Sequence, residues 1–154
     1  MATFTDPRLT VIGLLVEVHG GLMARLDKVH ATAGFSGTDF DVLIRLARSP
    51  GHRLRMSDLA AQTALSTSGV TRIVDRLEHR GLLTRQLSSD DRRSLLAVLT
   101  DEGLDRLTAH LPGLFAAIDS ALVDVLTLQE LDQLVGTFRM LREHLHPDAT
   151  AGAH

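Results

Sequence analysis

A cluster of hydroxyl and arginine side chains lies between positions 66 and 76 of this 154-residue chain. Its members are Ser66, Thr67, Ser68, Thr71, Arg72 and Arg76. Hydroxyl groups donate to phosphate oxygens, the N-terminus of a helix favours anions, and guanidinium groups contact phosphates and guanine edges. The cluster therefore predicts DNA contacts. Two alternatives stay open: Ser66 is a simple helix cap, and the arginines form intrahelical pairs, Arg72 with Asp75 and Arg76 with Glu78 or another neighbour.

A second cluster, Asp91, Arg92 and Arg93, lies in a segment of turn composition that begins at Ser88. Strand-like stretches at 82–87 and 94–99 flank this segment, which predicts a hairpin with the arginines at its tip. Arginines on such a hairpin can enter the minor groove of DNA. A solvated turn is the alternative, because serine and aspartate are common in turns.

Two short helices, predicted at 57–64 and 66–80, must position the first cluster. Val70, Ile73, Val74 and Leu77 follow the i, i+3, i+4, i+7 spacing of a buried helix face, and the polar cluster lies on the opposite face. A helix-turn-helix followed by a hairpin is the order of a winged helix-turn-helix.

Long apolar helices flank this central region. The first runs from Leu9 to about Thr32 and is apolar nearly all round in its first half, which indicates burial on more than one side. A second subunit is the expected cover for one side. Thr38 is predicted to begin the next helix, with Asp41 at the capping-box position.

The C-terminal third predicts two more helices and a tail. Thr100 caps a long helix that contains Pro112, and Thr127 with Glu130 forms a capping box for the last helix. Their leucine-rich faces are suited to packing on other helices. Residues 147–154 are predicted to form a flexible tail.

The charge distribution is uneven although the net charge is only −3. Residues 45–93 carry ten arginines and five acids, whereas the segments on either side are net acidic. A basic centre between acidic ends is expected when one subdomain meets phosphate, although a solvated basic face gives the same count.

Several kinds of chemistry are disfavoured. The absence of cysteine excludes disulfides, thiolate metal sites and thiol redox sensing. The eight histidines show no metal-ligand spacing, and neither a glycine-rich phosphate loop nor a Ser/His/Asp set is present. We therefore predict no catalytic residue, no metal and no cofactor. The longest apolar run, Val11–Val16, is far shorter than the roughly 20 residues of a membrane span, so a cytoplasmic protein without a membrane partner is expected.

Six short motifs resemble, in order and spacing, those of the multiple antibiotic resistance regulator (MarR) family of winged-helix transcription factors. They are Leu59-Ala60, Val70-Thr71-Arg72, Val74-Asp75-Arg76-Leu77-Glu78, Gly81-Leu82-Leu83-Thr84-Arg85, Asp91-Arg92-Arg93 and Leu99-Thr100-Asp101-Glu102-Gly103. The resemblance implies a mainly α fold with a small β-hairpin wing. Residues 35–100 would form the winged helix-turn-helix, and residues 1–34 and 101–146 a helical dimerisation region.

The resemblance also implies a function. A homodimer, expected to be a repressor, would bind a pseudo-palindromic site in double-stranded DNA under the control of a small-molecule effector. Asp91 would orient a wing arginine, with Arg93 as the best match for that arginine. His19, Met23 and Phe40 are candidate residues of an effector pocket, with ordinary core packing as the alternative. The alternative function is a winged-helix module for protein–protein assembly without DNA binding.

Overall fold

The computed structural model describes residues 4–91 and 93–152. Its helices are α1 (Pro7–Thr32), α2 (Gly37–Arg48), α3 (Met56–Thr63), α4 (Thr67–His79), α5 (Asp101–Ile118) and α6 (Leu128–Leu145). Its strands are β1 (Arg53–Arg55), β2 (Leu83–Leu87) and β3 (Leu95–Leu99). Short helical turns occupy Pro50–His52, Asp119–Val123 and Pro147–Thr150. The predicted mainly α fold with a small β-hairpin wing is confirmed.

The hydrophobic core lies within a winged lobe made of α2, α3, α4, the sheet and the beginning of α5. Side chains that are almost completely buried come from each of these elements: Val42, Leu43, Leu46, Leu59, Val74, Leu77, Leu83, Ala97 and Leu107. On α4 the buried residues are Val70, Ile73, Val74 and Leu77. The apolar stripe predicted for this helix is therefore confirmed, and its opposite face is left for contacts outside the lobe.

The sheet is antiparallel with the strand order β1–β3–β2. The hairpin pairs Leu83 with Leu99 at its base and Leu87 with Leu95 near its tip. The extended stretch before α3 adds β1 as a third strand, with Arg53 opposite Val98. Pairing on both sides of β3 ties the hairpin to the lobe.

Helix α5 begins in close contact with the base of the hairpin. The Thr100 hydroxyl caps the helix by accepting from the Gly103 N–H at 3.0 Å, and it donates to the Gly81 carbonyl at 2.7 Å. A Cβ atom at Gly103 would overlap the carbonyl oxygen of Leu82. Glycine is required here because the backbone just before β2 approaches too closely for any side chain.

Helix α2 begins earlier than expected, so the predicted capping box of Thr38 with Asp41 is wrong. The box consists of Ser36 and Asp39, which have the same spacing, and each side chain accepts from the other residue's N–H. Asp41 lies two residues further along and forms an ion pair with Arg45 at 2.8 Å. The shift matters because it places Asp39, rather than Asp41, at the buried end of the helix.

The C-terminal segment also differs from the expected flexible tail. Residues Pro147–Thr150 form a helical turn that packs against α3. The Gln62 side chain donates to the Ala151 carbonyl at 2.6 Å, and the His146 ring nitrogen Nε2 lies 2.8 Å from the Ala61 carbonyl oxygen. The prediction is therefore corrected for residues 147–152, which hydrogen bonds hold against the lobe.

Helices α1 and α6 leave most of their apolar side chains exposed. No residue of α6 is buried in the single chain, and His30 is the one buried residue of α1. The exposed side chains on the two helices are Leu9, Val11, Ile12, Leu14, Leu15, Val16, Val18, Leu128, Val135, Phe138, Met140, Leu141 and Leu145. Such a surface requires a cover that the single chain does not provide.

By length and composition alone, α1 is suited to crossing a membrane. An 18-residue window of this helix has a mean hydropathy of 1.5. The sequence argument considered the short unbroken apolar run Val11–Val16 and missed this property. Glycines and isolated polar residues interrupt such an apolar run, but they lower the mean hydropathy of a window only slightly.

Two buried histidines join the end of α1 to α5. The ring nitrogens His30 Nδ1 and His110 Nε2 lie 2.9 Å apart, and both rings pack against Phe40. Burial lowers the pKa of His30, to which the charge of His110 adds, while Asp27 opposes the shift. Burial likewise lowers the pKa of His110. Both imidazole rings are therefore held neutral, and the hydrogen bond between them needs one ring nitrogen that carries no proton.

We predict that the free energy of unfolding decreases as the pH falls below the ordinary histidine pKa of 6.5. The reason is that the unfolded chain binds protons there before the folded chain does. Urea unfolding between about pH 7.5 and about pH 5.5 measures the slope. The double variant His30→Gln, His110→Gln is expected to have a smaller slope, and His79→Gln, at an exposed histidine, to leave it unchanged. Equal slopes in all three proteins would contradict the prediction.

Candidate nucleic-acid interface

The N-terminus of α4 presents three hydroxyl side chains to solvent. Ser66 caps the helix by accepting from the Gly69 N–H at 3.1 Å, and its hydroxyl lies 3.2 Å from that of Ser68. Thr67 and Ser68 are exposed. The half-buried Thr71 donates from its hydroxyl to the Thr67 carbonyl at 2.8 Å. Ser66 thus performs the capping role considered above, and the neighbouring hydroxyls remain available as acceptors or donors near a helix N-terminus.

Arg72 extends from the exposed face of α4 one turn after these hydroxyls. Within residues 4–91 and 93–152 its guanidinium makes neither a hydrogen bond nor an ion pair. The alternative pairing with Asp75 does not occur, because Asp75 is engaged by Arg85 of β2. A cation without an intramolecular partner on the exposed face of this helix is available to bind an anion outside the lobe.

Arg76 is instead paired with a buried carboxylate of the lobe, although its own side chain is 47% exposed. Its Nε and Nη2 atoms both donate to Asp39 Oδ1, at 3.0 and 2.5 Å. Arg80 donates from Nη1 to Asp39 Oδ2 at 3.3 Å and from Nη2 to the Gly34 carbonyl at 2.8 Å. These bonds join α4 to the beginning of α2. Arg76 therefore positions the helix, and the DNA contact predicted for it stays a prediction.

Asp39 is a buried carboxylate with several donors. Burial raises its pKa, but the Ser36 N–H and the Arg76 guanidinium lower it by more, and the resulting pKa lies below the ordinary value. The folded protein consequently holds Asp39 ionised. Its stabilising effect is present above the ordinary pKa and is lost as the pH falls through the folded value.

The hairpin is fixed to α4 by a second group of charges. Arg85 of β2 contacts Asp75 and lies 3.6 Å from Glu78, and its backbone N–H donates to the Glu78 carboxylate at 2.9 Å. These contacts set the position of the wing relative to α4. The intrahelical pair of Arg76 with Glu78 considered above is not formed, because Arg76 binds Asp39 and Glu78 binds β2.

The wing tip is a closed turn with an exposed arginine. The Ser88 N–H donates to the Ser94 carbonyl at 2.9 Å, and the Asp91 carboxylate accepts from the Arg93 N–H at 3.0 Å. Asp91 thereby orders the backbone that carries Arg93, whose side chain is exposed. Arg92, also predicted to contact DNA, lies outside the described residues.

Sequence reasoning missed several charged residues of this region. Asp39, Arg80 and Arg85 position α4 and the wing. For Asp39, the signal available in the sequence was its capping-box spacing from Ser36. Arg53 and Arg55 extend from the exposed face of β1, on either side of the buried Leu54. The alternation of charged and apolar residues was the signal for this pair, which adds two cations to the sheet that carries the wing.

The candidate effector residues lie on two different helices, α1 and α2. His19 is exposed on α1 and Met23 is half-buried one turn later, whereas Phe40 packs on His30 with ring centroids 4.5 Å apart. His19 and His30 are eleven residues apart, which is about 16 Å along a helix. A cavity of about 300 Å³ lies next to His110, and its lining also includes Val29 and Arg106. In the described parts of the chain, histidine and carboxylate side chains form no group of three suited to a metal ion.

Comparison with known proteins gives consistent results. A sequence profile of the MarR family matches residues 33–94. The transcriptional repressor MprA of Escherichia coli K12 is 32% identical over 142 residues, which covers 92% of this chain and 80% of that protein.

Two solved structures extend the comparison. A MarR family transcriptional regulator from Streptomyces coelicolor, solved in complex with DNA, has a TM-score of 0.84 and 32% identity over 93% of this chain and 94% of its own. CouR from Rhodococcus jostii RHA1, solved with bound p-coumaroyl-CoA, has a TM-score of 0.74 and 27% identity over 86% of this chain and 90% of its own.

We predict that Asp39→Asn lowers the free energy of unfolding by about 2 kcal/mol, because it removes a charged acceptor of several buried hydrogen bonds. Asp41→Asn is the matched control, since its half-exposed pair with Arg45 contributes less than about 1 kcal/mol. Urea unfolding near neutral pH measures both. Equal losses in the two variants would show that Asp39 has no special role.

Proposed function

The chain belongs to the MarR family of transcriptional regulators, and we propose that it is a repressor that binds a pseudo-palindromic DNA site as a homodimer. Members of this family are regulators and not enzymes, in agreement with the absence of a predicted catalytic residue. The proposal concerns the sign of regulation, the oligomeric state, the effector and the contact residues.

The assignment of the DNA-binding surface rests on Arg72, which lies without a partner on the exposed face of α4. The neighbouring arginines are paired with carboxylates of the lobe, Arg76 with Asp39 and Arg85 with Asp75. Of the two arginines of α4, Arg72 is the one without a partner, and it lies one turn from the helix N-terminus, where hydroxyls and backbone N–H groups favour phosphate. Arg93 at the wing tip supplies a second exposed cation. Together they suit a helix in the major groove and a wing at the adjacent minor groove.

The exposed apolar faces of α1 and α6 support a homodimer. Val16 is 65% exposed on α1 and Leu145 is 74% exposed on α6, and each has apolar neighbours on the same helix. A second copy that pairs the same surfaces would bury them around a two-fold axis. Two recognition helices related by this axis would then meet two half-sites of a palindrome.

The same dimer accounts for the apolar character of α1 without a membrane. The E. coli repressor matches 92% of the chain and the DNA-bound regulator 93%, a coverage that extends well beyond the winged lobe. We therefore assign α1 to the dimer interface and the protein to the cytoplasm, where its DNA lies.

We further propose that a small-molecule effector controls DNA binding. CouR, solved with p-coumaroyl-CoA, shows that a relative at 27% identity takes a small molecule. In this chain the cavity next to His110 lies where α1 meets α5, the helix that begins at the base of the wing. A ligand there is placed to shift the spacing of the two recognition helices, and a small shift reduces bivalent affinity strongly. His19, Met23 and Phe40 stay predictions.

The alternative, a winged-helix module for protein assembly, is less well supported. Its relatives would be expected to act in assembly, whereas the relatives found are transcriptional regulators and one is bound to DNA. An unpartnered Arg72 also has no role in such a module.

We predict that Arg72→Ala with Arg93→Ala weakens binding to the intergenic region upstream of the gene by at least about tenfold. The loss of two phosphate or base contacts should also reduce the slope of log affinity against log salt concentration by about 2. Fluorescence anisotropy over a salt series with the upstream duplex and a scrambled duplex measures both effects.

Arg139→Ala is the control for this experiment, because Arg139 is exposed on α6 and far in the chain from the winged lobe. Its affinity should equal that of the wild type. If the wild-type protein prefers neither duplex, or if the double variant keeps the full preference, the proposed DNA-binding surface is wrong.

We also predict that Ile12→Asp converts the homodimer into a monomer at micromolar concentration, because a buried carboxylate in an apolar interface costs several kcal/mol. Ile12 is 56% exposed in the single chain. Leu87→Asp is the matched control, since Leu87 is 67% exposed on the wing and outside the proposed interface. Light scattering after size-exclusion chromatography measures the mass, and a dimeric Ile12→Asp protein would contradict the assignment.

A further inference from the structure

A cavity of about 360 Å³ separates the winged lobe from the C-terminal arm, which we define as α6 together with Pro147–Thr150. The lobe supplies residues of α2 and α3, and the arm supplies Arg142 of α6 and the turn that follows it. The side chains important for its chemistry are Asp41, Ile44, Arg45, Arg48, Gln62 and Arg142. The cavity extends along α2 from Asp41 to Arg48, and it shares no lining residue with the cavity next to His110.

The lining of this cavity has an excess of positive charge. Arg45 is neutralised by Asp41 at 2.8 Å and also donates to the Ala149 carbonyl at 3.2 Å. Arg48 and Arg142 form neither ion pairs nor hydrogen bonds within residues 4–91 and 93–152. Three guanidiniums and one carboxylate thus leave two uncompensated charges around one cavity.

Helix geometry accounts for only part of this arrangement. Arg45 and Arg48 lie in the last turn of α2, where cations interact favourably with the helix dipole. Arg142 comes from α6, a separate element, and lines the same cavity. Two cations from separate elements that face one cavity repel each other, and an anion between them would turn this repulsion into attraction.

We propose that this cavity binds a small organic dianion, such as a dicarboxylate. One acid group forms charge-assisted hydrogen bonds with Arg48 and the other with Arg142, which matches two acidic groups to two free guanidiniums. The carbon skeleton packs against Ile44, and the Gln62 side chain lies at the same wall. The volume is at the lower end of that of small-molecule sites, which excludes large ligands.

A ligand at this place connects the lobe to the arm. The arm already contacts α3 through the Gln62 bond to Ala151 and the His146 contact with Ala61. A dianion held by Arg48 and Arg142 stabilises the docked arm, because it binds only where both arginines meet. An effect of the ligand on DNA affinity rests on the proposed function, whereas binding of the ligand does not.

Isothermal titration calorimetry of the full chain with succinate and with phthalate, at low ionic strength, tests the proposal. We expect saturable binding with a Kd of about 1 mM or tighter, with benzoate weaker because it carries one acid group. Arg48→Gln and Arg142→Gln should each weaken binding at least about tenfold. Arg139→Gln, on the same helix as Arg142 and outside the cavity lining, is the matched control and should bind like the wild type.

Circular dichroism and thermal unfolding first establish that all variants fold like the wild type; because Arg48 and Arg142 are exposed, we expect them to. The proposal is overturned if neither dicarboxylate binds, if Arg48→Gln and Arg142→Gln bind as tightly as Arg139→Gln, or if inorganic phosphate binds as tightly as the dicarboxylates. Failure of DNA binding with intact dicarboxylate binding would count against the proposed function and not against this site.

Discussion

The ion pairs of the buried Asp39 carboxylate are the interactions on which the arrangement of the proposed DNA-binding surface depends. Asp39 completes the capping box of α2 by accepting from the Ser36 N–H, and it accepts hydrogen bonds from Arg76 in the last turn of α4 and from Arg80 directly after that helix. A hydrogen-bonded ion pair with a buried partner has a narrow range of geometries, unlike contacts between aliphatic side chains. The apolar core therefore determines that α4 packs against α2, and Asp39 fixes how α4 is oriented there.

The arginines of the lobe divide into two groups by their partners. Arg76, Arg80 and Arg85 are held by carboxylates or carbonyl groups and connect α2, α4 and the hairpin. Within residues 4–91 and 93–152, Arg72 and Arg93 have no such partners, and they extend from elements that the first group holds in place. A rigid support reduces the conformational entropy lost on binding, so a few exposed cations suffice for a specific contact.

The lobe is connected to the flanking helices at three places. Gly103 and Thr100 join the hairpin base to α5, the His30–His110 pair joins α1 to α5, and the segment after α6 binds α3. Each connection uses polar groups or a close backbone approach, which tolerate little displacement. Under the proposed function, a change in the flanking helices would be transmitted to the lobe through these connections.

The sequence alone determined the elements with strong local signals: the apolar stripe of α4, the cap at Ser66, the hairpin and the capping box at Thr127. Each depends on residues within a few positions of one another, so periodicity and spacing suffice to find them. Only the tertiary structure decided which arginines are paired with carboxylates. The partners of Arg76 and Arg85 lie 37 and 10 residues away in the chain, so local spacing does not identify them. The predicted start of α2 was wrong because Ser36 and Thr38 offer equivalent local caps. The predicted flexible tail was wrong because the bonds of residues 146–151 to α3 join segments more than 80 residues apart.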